Sequence, residues 1–260
     1  MFNTIARNPQ WHLKFPPDKP LRDALFPGTV GHPAKFNLHM LQGIIEEVSK
    51  PGQTIMDIMS GTGSIMLGAV LMRYVVAIEI ERPFHELQLA CLEHLKGLDP
   101  TIGERVLLLH GDCREFLPIP VDHIIFSPPY ASVLRRSQEQ ITEADRVLSS
   151  GYALTDYSQS RGNVGRYDKF LYNQFMEKIY GLCYKSLPLG GTMTVVLQDY
   201  TEDGRRMSLS SWLVKVCERL GFTVGFWEKR EALGTGYKKS WKAKGVAVVQ
   251  DEDILVFRRT

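Results

Sequence analysis

The sequence lacks the features that mark membrane, disulfide-rich and zinc-binding proteins. The chain has four cysteines spread along its length, Cys91, Cys113, Cys183 and Cys217. Because no two of them stand in a CxxC spacing, we expect reduced thiols in a cytoplasmic protein with no bound metal. The N-terminal residues lack the apolar core of a signal peptide, and the most apolar stretch, 65–80, is interrupted by Arg73 and too short to span a bilayer. We therefore expect no membrane partner.

An excess of charge of one sign is also missing. The chain carries 31 Lys and Arg against 29 Asp and Glu, a formal net charge of +2, so any surface that binds nucleic acid would have to be local. A chain of 260 residues that is 44% hydrophobic is long enough for one α/β domain. We predict a single domain over 1–260 with an extended N-terminal arm (1–33), an inserted segment (131–168) and a basic loop (229–250).

The pattern of apolar residues alternates between strand and helix. Helical spacing begins near Ala34 and stops at Pro51-Gly52. Beyond it, we predict strands over 54–59, 74–80, 105–109, 122–126, 192–198, 222–228 and 253–258, and helices over 61–73, 83–98, 169–187 and 209–220. This rhythm predicts a mostly parallel sheet with helices on both faces. Ligands in such sheets bind at the carboxyl ends of the strands.

Candidate ligand-binding residues follow the first strand. The segment Asp57-Ile-Met-Ser60-Gly61-Thr62-Gly63 contains two glycines that let the backbone turn sharply beside a ligand, although a purely structural turn is equally compatible. The full dinucleotide fingerprint would need glycine at position 66, which is Met66. The Lys-Ser/Thr pair of a phosphate loop is also missing. A nucleoside-like cofactor is therefore favoured over a dinucleotide.

Two acidic residues follow the next two strands. Glu79 is placed to accept hydrogen bonds from two ribose hydroxyls, and the alternative is a solvated carboxylate beside Glu81. Asp112, in Gly111-Asp112-Cys113, is placed to accept from an adenine amino group. The alternative is that Asp112 caps the following helix.

The fourth strand runs directly into Ser127-Pro128-Pro129-Tyr130. Two prolines fix the backbone in an extended turn, and because they have no N–H, the carbonyl groups here remain able to accept hydrogen bonds. The serine oxygen adds a second acceptor and the tyrosine adds a flat ring. A rigid loop with an exposed ring is the structural alternative.

These motifs resemble those of the amino-group DNA methyltransferases, over nearly the whole chain except the arm and the insert. The matching segments are 127–130 (the catalytic motif), Asp57, Gly61 and Gly63, Glu79, Asp112, the upstream motif Gly31-His-Pro-Ala-Lys35-Phe36, and the closing strand 251–258. The resemblance implies a Rossmann-like, seven-stranded class I methyltransferase fold with an antiparallel last strand. It also implies S-adenosyl-L-methionine as cofactor. The residues expected to hold it are Lys35, Phe36, Asp57, Ser60, Gly61, Thr62, Gly63, Glu79, Ile80, Asp112 and Cys113.

The implied chemistry fits the catalytic motif. An aromatic amine is a poor nucleophile, and Ser127 and the Pro128 carbonyl would accept its hydrogens so that its lone pair can attack a methyl group. The target base would leave the duplex and stack on Tyr130. Methylation of a ring carbon is disfavoured because no cysteine follows the prolines. A serine in the first position resembles the cytosine N4 enzymes of the family, and adenine N6 is the alternative.

The expected DNA contacts lie in the insert and the basic loop. They are Arg135, Arg136, Arg161, Arg166, Lys238, Lys239 and Lys242, which are suited to phosphates and stand among aromatic residues. A solvated loop is the alternative for the insert. Since both segments are short, we expect that the recognised DNA sequence is short or that a homodimer assists recognition. The rival functions are methyl transfer to RNA or to a protein glutamine, and nucleic-acid binding without catalysis.

Overall fold

A computed structural model describes residues 12–29, 35–129, 160–202, 205–231, 249 and 251–260. The helices in these ranges are α1 (Lys19–Leu25), α2 (Leu38–Val48), α3 (Leu67–Val70), α4 (Arg82–Leu98), α5 (Cys113–Phe116), α6 (Lys169–Ser186) and α7 (Leu209–Arg219). The strands are β1 (His12–Leu13), β2 (Thr54–Asp57), β3 (Tyr74–Glu79), β4 (Val106–His110), β5 (His123–Phe126), β6 (Thr192–Leu197), β7 (Tyr200–Glu202), β8 (Arg205–Met207), β9 (Phe222–Glu231) and β10 (Asp251–Arg259).

The main sheet has the order β1-β9-β10-β6-β5-β2-β3-β4. Strands β2 to β6 are parallel to one another, and β10 runs antiparallel to both β6 and β9. The predicted parallel sheet with an antiparallel last strand is confirmed, and the two-residue β1 adds an eighth strand beside β9. Strand order reverses between β2 and β5, which is where ligands bind in open α/β sheets.

Helices cover both faces of the sheet over two apolar clusters. One cluster packs α5, α6 and α7 on the sheet, and the other packs α2, α3 and α4 on the opposite face. Strands β5 and β6 are buried at every position, which agrees with the apolar residues at 124–126 and 195–197. Burying each Leu or Ile contributes about 1.5–3 kcal/mol relative to leaving it exposed. The central strands therefore form a rigid platform for the loops at their ends.

Two predicted helices are shorter than the apolar pattern indicated. Helix α2 begins at Leu38 rather than near Ala34, because the Asn37 side chain accepts a hydrogen bond from Met40 N and caps the helix. The helix predicted over 61–73 is a 3-10 turn, Ser64–Met66, followed by the four-residue α3. Within α3, Gly68 packs directly on the sheet.

Two of the predicted additions to the domain differ in part from the structure. The arm is not extended throughout: it contains α1, and β1 pairs in parallel with β9. Positions 229–231 of the predicted basic loop belong to a strand, because β9 continues to Glu231. Lys229 and Arg230 instead pair across the strands with Asp253 and Glu252 of β10. The two-stranded sheet of β7 and β8 was not predicted.

Candidate active site

A cleft open to solvent lies at the carboxyl ends of the parallel strands. Seven predicted residues line it: Gly61, Glu79, Ile80, Asp112, Cys113, Ser127 and Pro129. They come from the loops after β2, β3, β4 and β5, which are distant in sequence. The sheet therefore brings the expected cofactor residues and the expected catalytic motif to a single site.

The loop after β2 is held by hydrogen bonds from beneath. The Ser60 hydroxyl donates to Ile78 O at 2.9 Å, and Asp57 Oδ1 accepts from Met59 N at 2.9 Å. Gly61 and Gly63 have φ of 51° and 78°, so the turn needs residues without a side chain. Asp57, Ser60, Thr62 and Gly63 are buried behind the loop and do not line the cleft.

Gln88 of α4 supports this loop and was missed in the sequence. Its side chain is fully buried, and its Nε2 donates to Gly61 O at 2.6 Å and to Ser60 Oγ at 2.9 Å. A Cβ at Gly63 would lie 2.8 Å from Gln88 Cγ, which is closer than side chains approach. The sequence does not indicate that Gln88 supports the loop, because a glutamine in an amphipathic helix is normally interpreted as a surface residue.

Glu79 is a buried carboxylate in the cleft wall. Its side chain accepts from Gly61 N at 2.6 Å and from Glu81 N at 2.8 Å, which leaves further lone pairs for a ligand. Burial raises the pKa of Glu79 to about 7, against the lowering effect of these two hydrogen bonds. Burial also raises the pKa of Asp57 to about 8. The alternative of two solvated carboxylates is wrong, because Glu79 and Glu81 are 5% and 3% exposed.

Asp112 lines the cleft and also caps α5, as its alternative interpretation predicted. Its Oδ1 accepts from Arg114 N at 2.9 Å, and the Arg114 guanidinium binds both carboxylate oxygens. The same guanidinium lies over the Phe175 ring at 4.6 Å. The neighbouring Cys113 is buried, and burial raises the pKa of its thiol to about 12, so this thiol is not a nucleophile at neutral pH. Contact of Asp112 with adenine stays a prediction.

The catalytic motif begins where β5 leaves the core. Pro128 is buried, and Ser127 and Pro129 are half-buried in the cleft wall. Strand β5 lies between β2 and β6, so the motif stands next to the glycine loop that follows β2. Tyr130 lies outside the described residues, and its stacking role stays a prediction.

The upstream motif is tied to the site by Arg22, which the sequence did not reveal. Arg22 is 1% exposed and donates to Ser64 Oγ at 3.2 Å, to Asp18 and to the Phe36 carbonyl. Lys35 is half-buried, and burial followed by the charge of Arg22 lowers its pKa. Lys35 and Phe36 do not line the cleft, and their contact with the cofactor stays a prediction.

Two of the expected DNA contacts fall in the described part of the chain. Arg161 is exposed and Arg166 is half-buried in the 3-10 turn Val164–Arg166. The others, Arg135, Arg136, Lys238, Lys239 and Lys242, lie outside the described residues. The four cysteines are buried free thiols. Across the described ranges, no helix is long and apolar enough to cross a bilayer, and no three His, Cys, Asp or Glu side chains converge as metal ligands.

Solved structures show that the fold is shared. A methyltransferase from Pyrococcus furiosus is similar at a TM-score of 0.55 and 16% identity, over 93% of this chain and 94% of that one. The cyclase SpnF has a TM-score of 0.54 at 15% identity, over 87% of this chain and 83% of its own. A precorrin 8W decarboxylase from Methanobacterium thermoautotrophicum has a TM-score of 0.51 at 14% identity, over 88% of this chain and 93% of its own.

Comparison of the sequence with known families and proteins identifies no relative. No protein-family model and no curated protein matches the chain. The three structures include a cyclase and a decarboxylase, so the likeness identifies the fold and not the reaction. The chain has the class I methyltransferase fold, as predicted, and this fold agrees with the expected cofactor, S-adenosyl-L-methionine.

Proposed function

We propose that this protein is an S-adenosylmethionine-dependent methyltransferase that modifies the exocyclic N4 amino group of cytosine in DNA. One observation carries the proposal: Ser127-Pro128-Pro129 leaves β5 into the same cleft as Gly61, Glu79 and Asp112. A cofactor held by Gly61, Glu79 and Asp112 would have its reactive end near the catalytic motif. The cyclase and the decarboxylase share the fold, so the reaction is inferred from this site.

The residues of the cleft suit S-adenosylmethionine. The acceptors Glu79 and Asp112 match the hydroxyl and amino donors of a nucleoside. A Cβ at Gly162 would lie 2.7 Å from Asp112 Oδ2 and 3.0 Å from Ile80 Cδ1, so a side chain at position 162 would intrude into this part of the cleft. When bound, the cofactor supplies an electrophilic methyl group on its sulfonium sulfur.

The catalytic motif is suited to activating an amine. Both prolines lack an N–H, so the Pro128 carbonyl and the Ser127 side chain can accept the two amine hydrogens. Accepting them draws the nitrogen towards tetrahedral geometry and frees its lone pair for attack. The rigid turn supplies the positioning, which accounts for much of the acceleration in such reactions. Cys113 is the one cysteine among the residues that line the cleft, and burial raises the pKa of its thiol to about 12, so a ring-carbon route has no thiolate there at neutral pH.

The cytosine assignment rests on Ser127. In the family that the sequence resembles, serine stands in this position in the cytosine N4 enzymes. The DNA assignment rests on the same resemblance and on the arginines of the insert, of which Arg161 is exposed. Adenine N6, RNA and protein glutamine are the competing acceptors.

The test is methyl transfer from labelled cofactor to separate pools of DNA, RNA and a glutamine peptide, followed by nucleoside or residue analysis. We expect N4-methylcytosine in DNA. N6-methyladenine would overturn the choice of base, and label only in RNA or peptide would overturn the acceptor class. In the matched variant Ser127→Ala, we expect kcat to fall about a hundredfold with an unchanged cofactor dissociation constant, because the serine acts on the amine and not on the cofactor.

A further inference from the structure

The described end of the predicted insert returns to the body of the protein at the cleft. Gly162, Asn163 and Val164 line the cleft together with Glu79 and Asp112. Val164 is 4% exposed and belongs to the apolar cluster under α5, α6 and α7. The segment 160–164, here called the return segment, is therefore a wall of the proposed cofactor site and not only a surface loop.

A buried carboxylate fastens the return segment. Glu81 is 3% exposed, and its oxygens accept from Asn163 Nδ2 at 2.8 Å, from Ser160 N at 3.2 Å and from Ser160 Oγ at 3.1 Å. Within the described chain, every hydrogen bond to this carboxylate comes from Ser160 or Asn163. A buried carboxylate is costly unless donors satisfy it. The position of the return segment is therefore coupled to the burial of Glu81.

The orientation of the Asn163 amide is fixed at both ends. Its Oδ1 accepts from Gly165 N at 2.9 Å and starts the 3-10 turn, while its Nδ2 donates to Glu81. Glu81 in turn donates its backbone N–H to Glu79 Oε1 at 2.8 Å. One chain of hydrogen bonds thus runs from the return segment to the carboxylate expected to bind the ribose.

The return segment also contacts the adenine side of the cleft. The Gly162 carbonyl accepts from Arg114 Nη2 at 3.0 Å, and Arg114 is the partner of Asp112. Gly162 lies so close to Asp112 that a Cβ would be 2.7 Å from Oδ2. A shift of the segment would therefore change the width of the cleft at Asp112.

We propose that Asn163 is a positioning residue whose hydrogen bond to Glu81 holds the return segment as a wall of the S-adenosylmethionine cleft, so that cofactor affinity depends on this bond. The inference rests on the proposed function in one respect, that the cleft binds this cofactor. Asn163 acts through Glu81 and the wall, and it takes no part in methyl transfer.

The experiment measures the S-adenosylmethionine dissociation constant by titration calorimetry for the full-length protein and its variants. For Asn163→Ala we expect about a tenfold weakening, the usual effect of losing a hydrogen bond to a charged group. The double variant with Glu81→Gln and Asn163→Asp exchanges the amide and the carboxylate. It should bind the cofactor more tightly than Asn163→Asp alone, because the exchanged pair can form the same bond.

The single variant Asn163→Asp gives a readout that a purely structural role would not produce. Two carboxylates facing each other cannot both ionise easily, and one shared proton restores the bridge. The ratio of its dissociation constant to that of the wild type should therefore shrink as pH falls from 8 to 6. Charged groups that line the same cleft are Glu79, which feels the charge of Glu81, and Asp112 with its partner Arg114. Both are present in the wild type and in the variant, and the shared proton gives the variant pair the same net charge as Glu81 alone.

Asp168→Ala is the matched control. Asp168 caps α6 by accepting from Leu171 N at 2.9 Å, immediately beyond the return segment, and does not line the cleft. This variant should lower the Tm but keep the wild-type cofactor affinity. Unchanged binding in both Asn163 variants, or equal weakening in the control, would overturn the inference. If Asn163→Ala does not fold, the inference is tested by Asn163→Asp alone, and a ratio of dissociation constants that does not shrink between pH 8 and pH 6 would overturn it. A wild type that binds no cofactor would instead refute the proposed function.

Discussion

The buried Glu79 carboxylate makes cofactor affinity depend on pH in a defined direction. With a pKa raised to about 7 by burial, Glu79 is half protonated at neutral pH before the cofactor binds. In the proposed complex the ribose hydroxyls donate to the ionised form of Glu79, so binding is expected to lower the pKa of Glu79. The complex therefore releases a proton, and affinity must fall as pH falls below about 7.

The size of the effect follows from the same pKa. If the pKa of Glu79 in the complex lies well below 6, the dissociation constant should rise about tenfold between pH 8 and pH 6. At pH 6, binding should release close to one proton. Asp57 interacts electrostatically with Glu79, and burial raises the pKa of Asp57 to about 8. Asp57 is therefore mostly neutral below pH 7 and adds little repulsion to the ionised Glu79.

Titration calorimetry in buffers with different ionisation enthalpies measures both the affinity and the proton release. Glu79→Gln keeps one acceptor and removes the titration, so its dissociation constant should be larger and nearly flat from pH 6 to 8. A wild-type affinity that stays constant within twofold over this range would refute the reasoning. So would an affinity that improves at low pH.

Two further variants test the supports of the cleft. Arg22→Met should lower the free energy of unfolding by about 3 kcal/mol, because it removes the buried guanidinium that binds the Phe36 carbonyl and pairs with Asp18. Lys19→Met, which breaks an exposed ion pair, should change it by less than about 0.5 kcal/mol in urea titrations. Equal losses would contradict this assignment. Gly63→Ala should lower the Tm and weaken cofactor binding, because of its φ of 78° and its contact with Gln88. Gly43→Ala, with open space around it in α2, should raise the Tm slightly; an unchanged Tm for the first variant would contradict the account.

The strands and the cleft could be predicted because their signals are local. Buried parallel strands are continuous apolar runs, and polar residues follow directly where those runs end. Gly61, Glu79 and Ser127 each stand at such an end, so the topology alone places them together. Helix bounds were less accurate, because a cap such as Asn37 outweighs the apolar periodicity that precedes it.

The residues missed in the sequence act through partners that are far away along the chain. Arg22 and Gln88 are buried polar groups, and the sequence pattern treats polar groups as surface. Each is satisfied by backbone or side-chain atoms brought to it by the fold, Ser64 and Gly61 among them. For Asp112, two local interpretations predicted different contacts, and a single carboxylate accommodates the helix cap while facing the cleft.

The basic residues at the start of the predicted loop illustrate the same limit. The predicted basic loop begins with Lys229 and Arg230, and their positive charge is the reason for including them. In the structure they stand opposite Asp253 and Glu252 in the register of β9 and β10, where opposite charges stabilise neighbouring strands. Charge alone does not separate a residue that contacts phosphate from one that pairs across a sheet.

The place of β10 in the sheet bears on how the protein is synthesised. Although β10 is formed by residues 251–259, it lies between β6 and β9 and not at an edge. During synthesis β2 to β6 can associate early, whereas β9 has no neighbour within the main body until β10 has emerged. Strand β1 pairs with β9 and must wait as well. Completion of the sheet is therefore expected only once residues 251–259 have emerged, and the nascent chain exposes the edge of β6 until then.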